Sequence, residues 1–207
     1  MTRYAGRRAV IAGEATGIGL AIAKRLVEGG AEVVLTARTP RERAQASAEL
    51  GSAARVVAPA AAMAGFQPVD GDGARDDGAR DGGGARDGDV GVVDFVFADA
   101  VATARPLLAH VRDGGAVVLT APAPSHASVQ ALAAELASRG IRVNAVAPGC
   151  IEAPAGGAAS LPTLPRLPPL GRVGSAEEVA RAALFLATEA TFTTGARLPV
   201  DGGLSHP

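Results

Sequence analysis

The sequence predicts an α/β fold, and three observations carry the expectation. Residues 9–12 are a short apolar run that reads as a buried strand, Gly13, Gly17 and Gly19 follow, and residues 20–27 place apolar side chains at helical spacing. Residues 32–37 read as a second strand after a Gly29-Gly30 helix stop, and residues 40–50 as the helix behind it. With 207 residues, 48% of them hydrophobic, and a net charge of −1, one such domain can bury its own core.

The first of these units suits an anion. Strand, glycine turn and helix in that order present free N–H groups and the positive end of the helix dipole to a pyrophosphate. Gly13 permits the tight turn, Gly17 lets the backbone approach the phosphates, and Gly19 lets the helix pack on the strand. A plain strand-to-helix turn is the alternative, but the expected context stands on both sides of the glycines.

The spacing is Gly-x-x-x-Gly-x-Gly. Residues 12–19, including Gly13, Gly17, Ile18 and Gly19, resemble the Thr-Gly-x-x-x-Gly-Ile-Gly signature of the short-chain dehydrogenase/reductase family, with Ala12 in place of the threonine. The resemblance implies a Rossmann-like doubly wound parallel sheet, a single domain over residues 1–207, and a nicotinamide dinucleotide cofactor. The residue after the second strand selects that cofactor. An acidic side chain there accepts the ribose hydroxyls of NAD, whereas an arginine accommodates the 2′-phosphate of NADP. Here Arg38 occupies the position, with Thr36 or Thr39 as a further hydroxyl donor, so NADP is expected over NAD. The competing reading of Arg38 is a solvated residue opening the next helix.

Composition removes other classes. The near-neutral charge gives no basic excess for nucleic acid, and no apolar run is long enough for a membrane span. Cys150 is the only cysteine, so no intrachain disulfide forms, and a cytoplasmic location is expected. Residues 1–8 carry no signal-peptide apolar region.

Beyond residue 50 the family pattern loses pieces. Residues 54–70 resemble the fourth strand and following loop, with Pro59, Ala60, Ala61 and Ala62 where Asn-Asn-Ala-Gly is expected. Alternatively, residues 55–58 are the third strand and the fourth has gone. Either way, one parallel strand is expected to be missing. Residues 70–89 are low-complexity, with Gly-Ala-Arg-Asp starting at Gly73, Gly78 and Gly84. They lack apolar anchors, so a solvated loop is expected, a charged lid being the alternative. Limited proteolysis should cut there first.

Residues 90–111 read as a helix, with His110 in its exposed tail, and residues 116–120 as the next strand. The family's catalytic serine would fall near Pro122. Ser125 and His126 lie just beyond it and are the candidate substitute proton donors, although Ser125 reads equally well as a helix N-cap. The following helix, residues 129–140, matches only the second half of the family's catalytic helix. The first half should carry Tyr-x-x-x-Lys. Tyr4 is the only tyrosine, Lys24 the only lysine and Asn144 the only asparagine, so the catalytic set is absent rather than misaligned.

The C-terminal part is strongly family-like. Residues 141–149 resemble the sixth strand with its Pro148-Gly149 turn, and residues 151–154 the nicotinamide-side loop beginning at Ile151. Ala153 stands where a threonine usually binds the carboxamide. Residues 161–169 are proline-rich and replace a substrate helix; residues 169–187 and 194–203 resemble the C-terminal signature.

In the family the tyrosine gives or takes the substrate proton, and the lysine lowers its pKa from about 10 toward neutrality. The resemblance implies a small carbonyl or alcohol substrate and a homo-oligomer, or a hetero-oligomer with an intact relative. Three functions stay open: a divergent NADP(H)-dependent oxidoreductase using Ser125 or His126, a non-catalytic nucleotide-binding or partner subunit, and a non-redox enzyme resembling halohydrin dehalogenases. The last ranks lowest, because those typically keep a tyrosine and give up the glycine signature.

Overall fold

Short runs of branched and aromatic residues make the strands, and alanine- and leucine-rich stretches make the helices between them. The computed structural model describes residues 3–13, 15–64, 91–120, 125–152 and 167–205. The strands are β1 (Arg8–Ala12), β2 (Glu32–Thr36), β3 (Ala54–Val57), β4 (Val93–Ala98), β5 (Val111–Leu119), β6 (Arg142–Pro148) and β7 (Arg197–Val200). The helices are α1 (Gly17–Glu28), α2 (Pro40–Leu50), α3 (Pro59–Ala64), α4 (Val101–Ala104), α5 (His126–Leu136) and α6 (Ala176–Thr188). All seven strands pair in parallel, in the order β3-β2-β1-β4-β5-β6-β7. The order reverses between β1 and β4, and ligands of such sheets bind at the carboxyl edge of that crevice.

No strand is missing, which corrects the sequence expectation. Residues 54–57 are the third strand, in register with β2 from Val33↔Ala54 to Thr36↔Val57. The fourth is Val93–Ala98, placed by sequence inside a helix. It lies at the centre of the sheet, with Val10↔Val96 on one side and Val96↔Val117 on the other. A central parallel strand is buried on both faces, so its sequence shows a nearly continuous apolar run, broken here only by Asp94, rather than alternation. Its connection to β5 holds only the four-residue α4 and a six-residue 3₁₀ segment, Arg105–His110. β5 begins at Val111, earlier than expected, and α5 at His126 rather than at residue 129. The low-complexity stretch 70–89 lies outside the described residues.

Two cores follow from the alternation of strand side chains. One face carries Ile11, Leu35, Phe97 and Val118 against α1, α2 and α6. The other carries Val10, Val96, Val117 and Val143 against α5 and the 3₁₀ segment. Arg142, at the start of β6, closes the end of α6 by donating to the carbonyls of Leu186, Ala187 and Ala190 at 2.6, 2.6 and 2.9 Å. At the other end of that helix, Ser175 and Glu178 form a reciprocal capping box.

The Arg172 guanidinium donates to Glu178 at 2.6 and 3.0 Å and, with the Ser175 backbone N–H, holds its carboxyl down at about 2. A depressed carboxylate contributes stability that is fully present above the unfolded pKa of about 4.3 and is lost as pH falls toward about 2. Urea midpoints should therefore drop as pH falls from about 4.3 toward about 2, and less steeply in Glu178→Gln. Loss of the cap in Ser175→Ala is expected to cost about 1 kcal/mol at neutral pH.

Candidate functional site

The glycine turn stands at the carboxyl end of β1, as the spacing predicts. Gly13 has φ +145 and Gly17, the first residue of α1, has φ +50, both in the region that favours glycine. Thr16 is the N-cap of α1 but makes no side-chain cap bond, and the first turn of the helix holds no acidic residue. Among the described residues, no side chain caps this helix start. By contrast, the N-termini of α2 and α6 are satisfied by Thr39 and Ser175. Ile18 packs its side chain on the core beneath, and Gly19 continues the first turn.

Thr36 does not present a free hydroxyl, whereas Thr39 uses its oxygen as a helix cap and keeps its O–H on the exposed side. Thr36 is buried and bridges β2 to the glycine turn, accepting from Gly13 N at 2.9 Å and donating to Gly13 O at 3.3 Å. Thr39 Oγ1 accepts from Glu42 N at 3.1 Å. Arg38 lies between them. Its backbone N–H donates to Glu42 Oε2 at 3.0 Å, which fixes the backbone, and its guanidinium reaches across the carboxyl edge to Asp99. A cavity of about 270 Å³ opens beside it, lined by Gly13, Thr36, Arg38, Pro59 and Thr103 among others.

Asp99 is the residue the sequence reading missed. It directly follows β4, and its N–H donates to Ala12 O at 3.2 Å. The misassignment of residues 90–111 to a helix hid its place at the edge of the sheet. The aromatic and β-branched run Val93, Phe95, Val96, Phe97 was the available signal.

Farther along the same edge, Pro148 ends β6, and Gly149 donates to Val200 O at 3.0 Å. A Cβ at Gly149 would lie 2.6 Å from Asp201 Cα, so this turn packs on β7 as tightly as backbone allows. Ile151 forms a parallel bridge with Gly174. Residues 121–124 and 153–166, including Pro122 and Ala153, lie outside the described residues. Ser125 is the N-cap of α5: its Oγ accepts from Ser128 N at 3.1 Å and lies 2.7 Å from Ser128 Oγ. His126 is the first residue of that helix and is exposed.

The sole tyrosine, lysine and asparagine are all engaged elsewhere. Tyr4 precedes β1 at the amino edge, buried, with its N–H donating to Gly29 O at 2.7 Å. Lys24 on α1 pairs with Glu49 on α2 and holds that carboxyl below its usual range. Asn144 is buried in β6, donating to Thr193 O at 2.8 Å and accepting from Ala196 N at 3.0 Å. None of the three faces the carboxyl edge beside Gly13.

Comparison with known proteins accords with this geometry. Residues 7–66 match the family model described as short chain dehydrogenase, and residues 100–205 the model described as enoyl-(acyl carrier protein) reductase. A 3-oxoacyl-[acyl-carrier-protein] reductase of Thermotoga maritima is 52% identical over 79 residues, which span 35% of this chain and only 31% of that protein. An oxidoreductase of Sarocladium schorii is 31% identical over an alignment spanning 99% of this chain and 98% of its own. A short-chain dehydrogenase/reductase structure from Serratia marcescens shares the fold, with a TM-score of 0.75 at 21% identity over 98% of this chain and 99% of its own. No helix among the described residues is long and apolar enough to cross a membrane. From the glycine turn, the seven-stranded sheet and these matches, the chain belongs to the short-chain dehydrogenase/reductase family of oxidoreductases, whose members bind NAD(P) nucleotides.

Proposed function

We propose that this protein binds NADP(H) at the carboxyl edge of β1, β2 and β4 and supports carbonyl or alcohol oxidoreduction only weakly. The observation that carries the nucleotide preference is Arg38, anchored after β2 beside the glycine turn and the cavity. The uncapped start of α1 receives the pyrophosphate, and Arg38 pairs with the 2′-phosphate. Pro148, Gly149 and Ile151 form the nicotinamide side of the site. Bound NADPH supplies the hydride. Ser125 and His126 are the nearest substitutes offered by sequence for the missing proton donor, and Ser125 already serves as a helix cap.

Thermal melting with each nucleotide tests this function. Saturating NADPH should raise the melting temperature by mass action, NADH should do so less, and Arg38→Asp should invert the order. Failure of both nucleotides to stabilise folded protein would remove the proposal.

A further inference from the structure

The Arg38 guanidinium meets Asp99 across the crevice, with Nη2 to Oδ2 at 2.6 Å. Thr103 holds the other carboxylate oxygen, donating from Oγ1 to Oδ1 at 2.6 Å. The same side chain leans over the glycine turn: a Cβ at Gly13 would lie 3.0 Å from Asp99 Cγ and 3.1 Å from Oδ2. One carboxylate therefore touches both the group suited to a 2′-phosphate and the turn suited to a pyrophosphate. The short connection between β4 and β5, which places α4 immediately after Asp99, brings Thr103 into position to steer it.

We infer that Asp99 is a specificity-determining residue that pairs with Arg38 and competes with the 2′-phosphate for it. The inference rests on the nucleotide reading above. A 2′-phosphate approaching the guanidinium competes with this carboxylate for Nη2, while NAD, lacking that phosphate, does not. Asp99 thus narrows the preference for NADP that Arg38 alone would create. The pair is partly solvated, with 53% and 30% of the two side chains exposed, so the competition is modest.

The test is a set of dissociation constants for NADP and NAD, measured on the wild-type protein, Asp99→Asn, Arg38→Ala and the double variant. Asp99→Asn should tighten both nucleotides, because a negative charge leaves the phosphate turn. It should tighten NADP by a further two- to fivefold or so, the range a partly exposed ion pair supplies. That further gain should vanish in the Arg38→Ala background. Asp99→Ser, which also removes the charge, should behave as Asp99→Asn does, and guards against a local packing effect of the amide. Equal tightening of NADP and NAD, or a gain that persists without Arg38, would overturn the inference while leaving nucleotide binding intact. Absence of binding in every folded variant would overturn the nucleotide reading and the inference together.

Discussion

With NADPH and a panel of simple aldehydes and ketones, turnover is expected to fall about 10²–10⁴-fold below that of a family member carrying Tyr-x-x-x-Lys. That is the range typically lost with a positioned acid. The only tyrosine is buried at the amino edge, and the only lysine, on α1, is paired with Glu49 on α2, so neither stands at the carboxyl edge where the proton is needed. Solvent, Ser125 or His126 would supply the proton for what remains. Ser125→Ala combined with His126→Ala should then lower the residual rate further. Ordinary turnover, unchanged by that double substitution, would show that the proton donor lies elsewhere. Turnover that appears only on mixing with an intact relative would identify the chain as a partner subunit.

The largest stability effect is expected at Phe97. Its side chain is fully buried at the middle of the central strand, and truncation to alanine leaves a cavity in the α1–α6 core. The cost should be about 3–5 kcal/mol, a large part of the 5–15 kcal/mol that holds a typical domain together. For a chain of this length that is a fall in melting temperature of roughly 6–20 °C. Val92→Ala, at a position 54% exposed just before the strand, should change stability by no more than about 0.5 kcal/mol. Val96→Ala should also be costly, because Val96 is fully buried on the opposite face of the sheet. Burial of adjacent side chains on both faces distinguishes a central strand from the helix that the sequence suggested. A small effect at either Phe97 or Val96 would contradict the placement of β4.

The N-terminal unit and the C-terminal third were legible because their signals are local. The glycine turn, the second strand read at 32–37 and the proline-initiated helix at Pro40 each occupy a few consecutive residues, and the C-terminal third carries its signature in continuous stretches. β4 was not legible, for a physical reason. A strand buried on both faces loses the alternation that marks strands, and Val93–Ala98 is six residues of nearly continuous apolar character. That error propagated to the site: with β4 hidden, Asp99 was not placed beside Arg38. The ion pair between them joins residues 61 positions apart in sequence, so only the sheet order could bring them together. Ser125 shows the opposite case, since its capping geometry was one of two readings that the residues around it allowed.

NADPH fluorescence with absorbance read in parallel separates binding of the nucleotide from its slow turnover. The expected result is a saturable change in NADPH fluorescence on adding protein, weakened by Arg38→Asp, with nicotinamide absorbance holding nearly steady when excess carbonyl substrate follows. No saturable signal, or a rapid loss of absorbance at the rate of an intact family member, would contradict the proposed function.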